Sequence, residues 1–130
     1  MKLFLDDIRM PQEAKNLVPV QYNSLYLQDD WSIVRNYKEF IRWIEFHGIP
    51  ELISFDHDLA DIHYEVDFSD WEFTADQLGV EETGLDCAKW LVDYCLDNGH
   101  TLPKYLVHSA NPAGKKNIQS YLDNATKHLF

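Results

Sequence analysis

Short apolar runs alternate with stretches of helical hydrophobic spacing along most of this chain, and this alternation limits the possible folds more than any other feature. β-strands are predicted for the apolar runs at residues 3–5, 31–34, 52–55 and 105–107. Strands interleaved with helices favour a parallel sheet with right-handed connections and with helices on both faces. The chain is therefore predicted to be an α/β protein with a short, mainly parallel sheet of about four strands.

Helices are predicted where apolar residues recur at helical spacing beside a start or stop signal. Three segments meet this condition: 37–47 before Gly48, the stretch from a capping box of Thr83 and Asp86 to Gly99, and the stretch after Asn111-Pro112. Residues 10–29 contain Pro11 and Pro19 among scattered apolar residues without a clear period. That segment is predicted to be mostly loop.

Length and composition predict one globular domain that covers residues 1–130, since 45% of the residues are hydrophobic. The formal net charge of −11 argues against general binding to DNA or to an anionic membrane surface. Cys87 and Cys95 lie in one predicted helix, at a spacing that suits neither a redox pair nor a metal knuckle. No apolar run reaches membrane-spanning length, and Asp6 interrupts the first run before it could form a signal peptide. We expect a cytoplasmic protein.

Aspartate or histidine side chains follow three of the four predicted strands. In a parallel sheet these strand ends meet at one edge, where ligands bind at the point of strand-order reversal. The side chains concerned are Asp6 and Asp7 after the first strand, Asp56, His57 and Asp58 after the third, and His108 and Ser109 after the fourth. These residues are therefore expected to gather into one site.

Carboxylates that converge repel one another unless a proton or a cation offsets their charge. Oxygen ligands from Asp6, Asp7 and Asp56 favour Mg²⁺ or Mn²⁺, although nearby histidines leave a softer metal open. The aspartate pair could instead form a surface turn or a helix cap. Asp58 could equally cap a loop.

His57 and His108 are candidates for acid–base catalysis, because imidazole titrates near neutral pH and both residues follow strands. A lone histidine is more often structural, and that alternative stays open for each of them.

Candidate phosphate contacts lie at the start of the last predicted helix and just after the aspartate pair. Lys115 and Lys116 occupy the first helical turn beside Gly114, where a bound anion would offset the unfavourable helix dipole. Arg9 could bind phosphate in bidentate fashion. The alternatives are solvated lysines, an ion pair between Arg9 and an aspartate, and an Asn111 that only caps the helix.

Residues 60–83 contain eight acidic side chains and no Lys or Arg, together with alternating aromatic residues. This pattern predicts an inserted loop or small β-hairpin beside the site. Such a flap could act as a lid over a ligand or bind a protein partner.

Several of these features resemble the receiver domains of bacterial response regulators: an Asp-Asp pair after strand one, an Asp after strand three and Ser109-Ala110 after strand four. The resemblance implies a flavodoxin-like, three-layer fold. It also implies Asp6 and Asp7 as metal ligands, Asp56 at the phosphoacceptor position and Ser109 at the position that senses the phosphoryl group. Receivers carry a lysine after a fifth strand, and this sequence has no counterpart of it.

A closer resemblance is to the cyclic-phosphate processing receiver-like domains of bacteria and phages. The matching motifs are "LDDIRMP" (5–11), "SFDHDL" (54–59), "TGLD" (83–86) and "HSANPAG" (108–114). This resemblance implies a Mg²⁺-dependent phosphoesterase that acts on a cyclic phosphate, of the nucleotide or RNA-end type. By these motifs His57, His108 and Asn111 would share that role. Together with the candidates considered above, the prediction is that His57, His108 and Asp56 are catalytic and that Arg9, Ser109, Asn111 and Lys115 bind the phosphate. A receiver-like module that binds a protein and catalyses nothing is the alternative.

Overall fold

The computed structural model of this chain describes residues 1–59 and 83–129. Its strands are β1 (Lys2–Leu5), β2 (Trp31–Val34), β3 (Leu52–Phe55) and β4 (Lys104–Val107). Its α-helices are α1 (Pro11–Ala14), α2 (Asn23–Tyr26), α3 (Tyr37–His47), α4 (Gly84–Asn98) and α5 (Pro112–Leu129), and Lys15–Leu17 and Val20–Tyr22 form short 3₁₀ turns. The predicted flap at 60–83 lies outside the described residues, apart from Thr83.

All the described strands are parallel, and their order in the sheet is β2-β1-β3-β4. The chain runs from β1 outward to β2 and then crosses back to place β3 on the other side of β1. The strand order therefore reverses between β1 and β3, which pair in the register Leu3 to Ile53 and Leu5 to Phe55. The predicted parallel α/β architecture of four strands is confirmed.

Alternate residues of each strand face two separate apolar clusters, as the pleat of a strand requires. One cluster joins one sheet face, including Leu3 and Phe55, to the long helices α3, α4 and α5. The second cluster is smaller and joins the opposite sheet face, including Phe4 and Leu52, to α1 and α2. The sheet is thus the middle of three layers.

The predicted helix ends agree closely with the observed ones. Thr83 and Asp86 form a reciprocal capping box at the start of α4. Gly48 and Gly99 follow α3 and α4 with positive φ angles of 88° and 70°, a conformation that favours glycine. Among the residues described, no helix combines the length and the apolar character needed to cross a membrane.

The prediction that residues 10–29 are mostly loop is wrong, because this segment contains α1, α2 and both 3₁₀ turns. Helices of a single turn are too short to show a hydrophobic period, which is why the sequence pattern missed them. Pro11 occupies the first position of α1, and the side chain of Glu13 accepts a hydrogen bond from the backbone amide of Met10. At the end of α2, Tyr26 is fully buried in the second cluster.

Candidate metal and phosphate site

Three side chains from three strand ends converge at the carboxyl edge of the sheet. Asp6, Asp56 and His108 each offer one ligand atom, and these atoms all lie within 4.8 Å of one another. Their residues are 0%, 3% and 0% exposed, respectively. The expected gathering of the strand ends is therefore seen for these residues, and β1 and β3 place the two carboxylates at the reversal of strand order.

The two carboxylates differ in their protonation. Burial, together with the negative charges of Asp6 and Asp7, raises the pKa of Asp56 to about 7, while Arg9 opposes the shift. Asp7, which is not in the three-residue group, thus still acts electrostatically on Asp56. Burial and neighbouring negative charge thus both disfavour the ionised form of Asp56.

Asp6 is held in its ionised form. Burial alone would raise its pKa, but hydrogen bonds from His108 and from the backbone amides of Arg9 and Ile8 keep the pKa well below its usual range. Those amides donate to Oδ1 of Asp6 over 2.8 Å and 2.9 Å. The start of the β1–α1 loop therefore wraps around the Asp6 carboxylate.

Arg9 brings positive charge to both carboxylates. Its Nη1 lies 3.3 Å from Oδ2 of Asp6 and 3.8 Å from Oδ2 of Asp56. The ion-pair alternative for Arg9 is thus present in the structure. A second arginine, Arg35, donates to the backbone carbonyl oxygens of Asp6 and Arg9 over 3.2 Å and 2.6 Å, and so holds this loop in place.

His108 is enclosed on every side. Its Nε2 lies 3.0 Å from Oδ2 of Asp6, and its Nδ1 lies 2.6 Å from Oγ of Ser54. Burial lowers the pKa of this histidine, although Asp6 opposes the shift. The Ser54 hydroxyl in turn lies 2.5 Å from the phenol oxygen of Tyr26.

Sequence reasoning missed Ser54, Tyr26 and Arg35. Only Ser54 left a signal, since it is the one polar residue in the apolar run "LISF". A buried hydroxyl there needs a hydrogen-bond partner.

His57 lies at the rim of the site. Its Nδ1 is 2.8 Å from Oδ1 of Asp58, and the Nδ2 of Asn111 approaches the same oxygen at 3.4 Å. Its ring nearly touches α5, because a Cβ atom added at Gly114 would lie 2.4 Å from Cγ of His57. The start of α5 therefore fixes the position of His57.

Like Arg9, the other predicted phosphate contacts have partners within the protein. Oδ1 of Asn111 accepts from the Gly114 amide over 3.0 Å, so its predicted role as N-cap is confirmed. Oγ of Ser109 accepts from the Asn111 amide over 3.0 Å, and Nζ of Lys115 donates to the Leu17 carbonyl oxygen over 3.0 Å. The phosphate-binding roles of these residues stay predictions.

Comparison with known protein families identifies the family of this chain. The model of the family described as the cyclic-phosphate processing receiver domain matches residues 1–124. The chain belongs to this family. No curated protein and no solved structure gives a significant match. Membership in the cyclic-phosphate processing receiver family agrees with the observed flavodoxin-like sheet order and links the chain to cyclic phosphates.

Gly84 explains one motif of this cyclic-phosphate processing receiver domain in steric terms. Its amide donates to the His57 carbonyl oxygen over 2.8 Å, and an added Cβ would lie 1.8 Å from the carbonyl oxygen of Asp56. A side chain at this position would collide with the backbone that carries Asp56. The glycine of "TGLD" therefore lets α4 begin directly against the site.

The donor set of this receiver domain fits a hard divalent cation. Two carboxylates supply oxygen ligands, which Mg²⁺ and Mn²⁺ prefer. Burial and the charges of Asp6 and Asp7 raise the pKa of Asp56, and a cation beside its carboxylate would oppose both effects. An acidic site able to hold such a cation is therefore present.

Proposed function

We propose that this receiver domain is a Mg²⁺-dependent phosphoesterase that hydrolyses a cyclic phosphate. The observation that carries the proposal is the convergence of Asp6 and Asp56, both buried, with Arg9 between them at the reversal of strand order. A buried pair of carboxylates is unfavourable in itself, which is typical of a site that binds a ligand of opposite charge.

In this proposal Asp6 and Asp56 would hold the metal, and Asp7 would complete the ligand set from the adjoining position on the loop. The bound ion, Mg²⁺ or Mn²⁺, would polarise the phosphoryl group and lower the pKa of a water molecule. The substrate is a small ligand with a cyclic phosphodiester, either a nucleotide or the end of an RNA strand.

His57 acts as the general base for the attacking water. Because its Nδ1 is engaged by Asp58, its Nε2 is the nitrogen left to accept a proton from the attacking water. The water oxygen forms a bond to phosphorus, one ring P–O bond breaks, and the leaving oxygen takes up the proton that His57 accepted from the water. His108 has no exposed surface, and both of its ring nitrogens are hydrogen-bonded within the protein. Its role is therefore to orient Asp6 and not to transfer a proton directly.

Binding of the phosphate falls to Arg9, with Ser109, Asn111 and Lys115 around the start of α5. A guanidinium group can give two parallel hydrogen bonds to phosphate oxygens. Arg9 is 31% exposed in its side chain and reaches the site from its rim, so it can turn from the carboxylates to an incoming phosphate.

A second candidate is a binding module without catalysis, in which Arg9 offsets the carboxylates in place of a metal. In that case the acidic edge and the 60–83 segment would contact a protein partner. Aspartyl phosphorylation of Asp56 is a weaker candidate, because the cation beside Asp56 in the described part of the chain is an arginine and Lys115 contacts Leu17.

A panel of cyclic phosphodiesters and phosphomonoesters, incubated with and without Mg²⁺ and followed by phosphorus NMR, separates these candidates. Metal-dependent conversion of a cyclic phosphodiester supports the proposal, and Asp7→Asn should abolish it while leaving the fold intact. A stable acyl phosphate after treatment with acetyl phosphate would support aspartyl phosphorylation. If neither product forms, the binding module without catalysis is favoured.

A further inference from the structure

Hydrogen bonds link four side chains into a buried chain that leads from the second core cluster to the metal site. The links are Tyr26 OH to Ser54 Oγ at 2.5 Å, Ser54 Oγ to His108 Nδ1 at 2.6 Å, and His108 Nε2 to Asp6 Oδ2 at 3.0 Å. All four residues are 0% exposed. The chain connects α2, β3 and the ends of β4 and β1.

The chemistry of each group fixes the direction of these bonds. An ionised Asp6 can only accept, so Nε2 of His108 carries the hydrogen of that bond. In the neutral ring Nδ1 is then an acceptor, and the Ser54 hydroxyl donates to it. The Ser54 oxygen accepts from the Tyr26 phenol, whose pKa burial raises to about 12. Each donor in this chain then has one acceptor, and the Nε2–H tautomer of His108 satisfies all three hydrogen bonds.

Ring stacking removes the remaining freedom of the imidazole. The rings of Phe4 and His108 are parallel to within 6°, with centroids 4.5 Å apart. Tyr26 stacks at 27° on Trp31, with centroids 5.4 Å apart, which holds the phenol in place. Phe4 thus fixes the plane of the imidazole, and Ser54 fixes its rotation within that plane.

We propose that Tyr26 and Ser54 are positioning residues of the metal site, which act through His108 to hold the Asp6 carboxylate in its ligating orientation. This inference rests on the metal site of the proposed function. It also gives the second core cluster a role beyond stability, because Tyr26 belongs to that cluster and Phe4 of the same cluster stacks on His108. Outer groups that orient a ligand in this way typically change metal affinity about 10- to 100-fold.

The test compares Mg²⁺ affinity, measured by calorimetry, among variants that each remove a hydroxyl group. Ser54→Ala should weaken binding about 10- to 100-fold. Tyr26→Phe, which leaves the serine–histidine bond in place, should weaken it about two- to tenfold. Because both residues act in series, the double variant should lie within about twofold of Ser54→Ala alone. The matched control is Tyr105→Phe, which removes a phenol that bonds to Asp123. The Tyr105→Phe variant should bind Mg²⁺ with the affinity of the wild type.

A spectroscopic readout in the metal-free protein complements the affinities. Nitrogen-15 NMR of the imidazole should show His108 as the Nε2–H tautomer, with Nδ1 accepting a hydrogen bond that Ser54→Ala removes. Loss of the Nε2 proton when Mg²⁺ is added would make His108 a metal ligand and would overturn the inference. Equal Mg²⁺ affinity in wild type, Tyr26→Phe and Ser54→Ala would also overturn it. Absence of binding in the wild type would instead remove the metal site of the proposed function.

Discussion

Nε2 of His108 lies 3.0 Å from Oδ2 of Asp6, across 102 positions of sequence and with neither side chain exposed. The bond reaches over β3, which separates the two strands from which these residues emerge. It joins the end of β4 to the end of β1, at the edge where the carboxylates meet. The stability of this edge and its affinity for a cation should therefore both depend on His108.

His108→Phe keeps a ring of similar size to stack on Phe4 but removes both nitrogens. We expect the free energy of unfolding in urea to fall by about 1–3 kcal/mol, because Asp6 and Ser54 each lose a buried partner. The control is His100→Phe, at an exposed position beside Tyr94. It should leave stability nearly unchanged, and an equal loss in both variants would contradict the role given to His108.

The titration of Asp56 should be visible in the metal-free protein. Burial, together with Asp6 and Asp7, raises the pKa of Asp56 to about 7, so its carboxyl group should change its carbon-13 shift near neutral pH. Mg²⁺ must displace this proton in order to bind, so its affinity should rise between about pH 6 and about pH 8. An affinity that stays constant over this range would contradict the assignment of Asp56 as a ligand.

The free energy of unfolding should also depend on pH through the titration of Asp56, and the raised pKa fixes the sign of this dependence. Between the ordinary pKa of an aspartate, about 3.9, and the raised value, the folded protein binds more protons at Asp56 than the unfolded chain does. This contribution to stability is complete below about pH 4 and is lost as pH rises through about 7. The stability of wild type relative to Asp56→Asn should therefore fall with rising pH, by at most about 1.4 kcal/mol per pH unit. The comparison with the variant cancels the opposing titration of His108.

Gly84→Ala should destabilise the protein although it lies in a helix, where alanine is normally preferred over glycine. The new Cβ would lie 1.8 Å from the backbone carbonyl oxygen of Asp56, and neither backbone can move without disturbing β3 or α4. Overpacking of this kind costs about 1–3 kcal/mol, measurable by urea denaturation. Unchanged stability would mean that α4 does not begin against the site.

Gly114→Ala should act differently, because its new Cβ would meet the side-chain ring of His57 and not a backbone atom. A ring can turn away, so the loss of stability should be smaller than for Gly84→Ala. The turned ring would lose its contact with Asp58, and kcat for the cyclic phosphate should fall more than KM changes. A variant with the kcat of the wild type would contradict proton transfer by His57.

Much of the fold could be predicted from the sequence. β2, β3 and α3 begin and end at the predicted residues, since the strands are apolar runs and the helix has an apolar face before Gly48. The meeting of Asp6, Asp56 and His108 followed from one rule, that parallel strands end at the same edge.

The rest depended on contacts between residues distant in sequence. Tyr26 and Ser54 are 28 positions apart, and Ser54 and His108 are 54 apart, so no local pattern joins them. Arg35 follows β2 without any sign that it reaches the loop of Asp6 and Arg9. The pattern of residues 10–29 also concealed the single-turn helix that delivers Tyr26. The sequence thus indicated which groups meet at the edge, but not what holds them there.

The most direct test of the central claim is the phosphorus NMR time course of a cyclic phosphodiester with wild type and with Asp6→Asn, each in Mg²⁺ and in excess chelator. The wild type should convert the diester to a monoester in Mg²⁺ alone, and Asp6→Asn should give no conversion in either condition while remaining folded by circular dichroism. Conversion by the wild type in chelator, or equal conversion by Asp6→Asn in Mg²⁺, would contradict a metal-dependent reaction at this edge of the sheet.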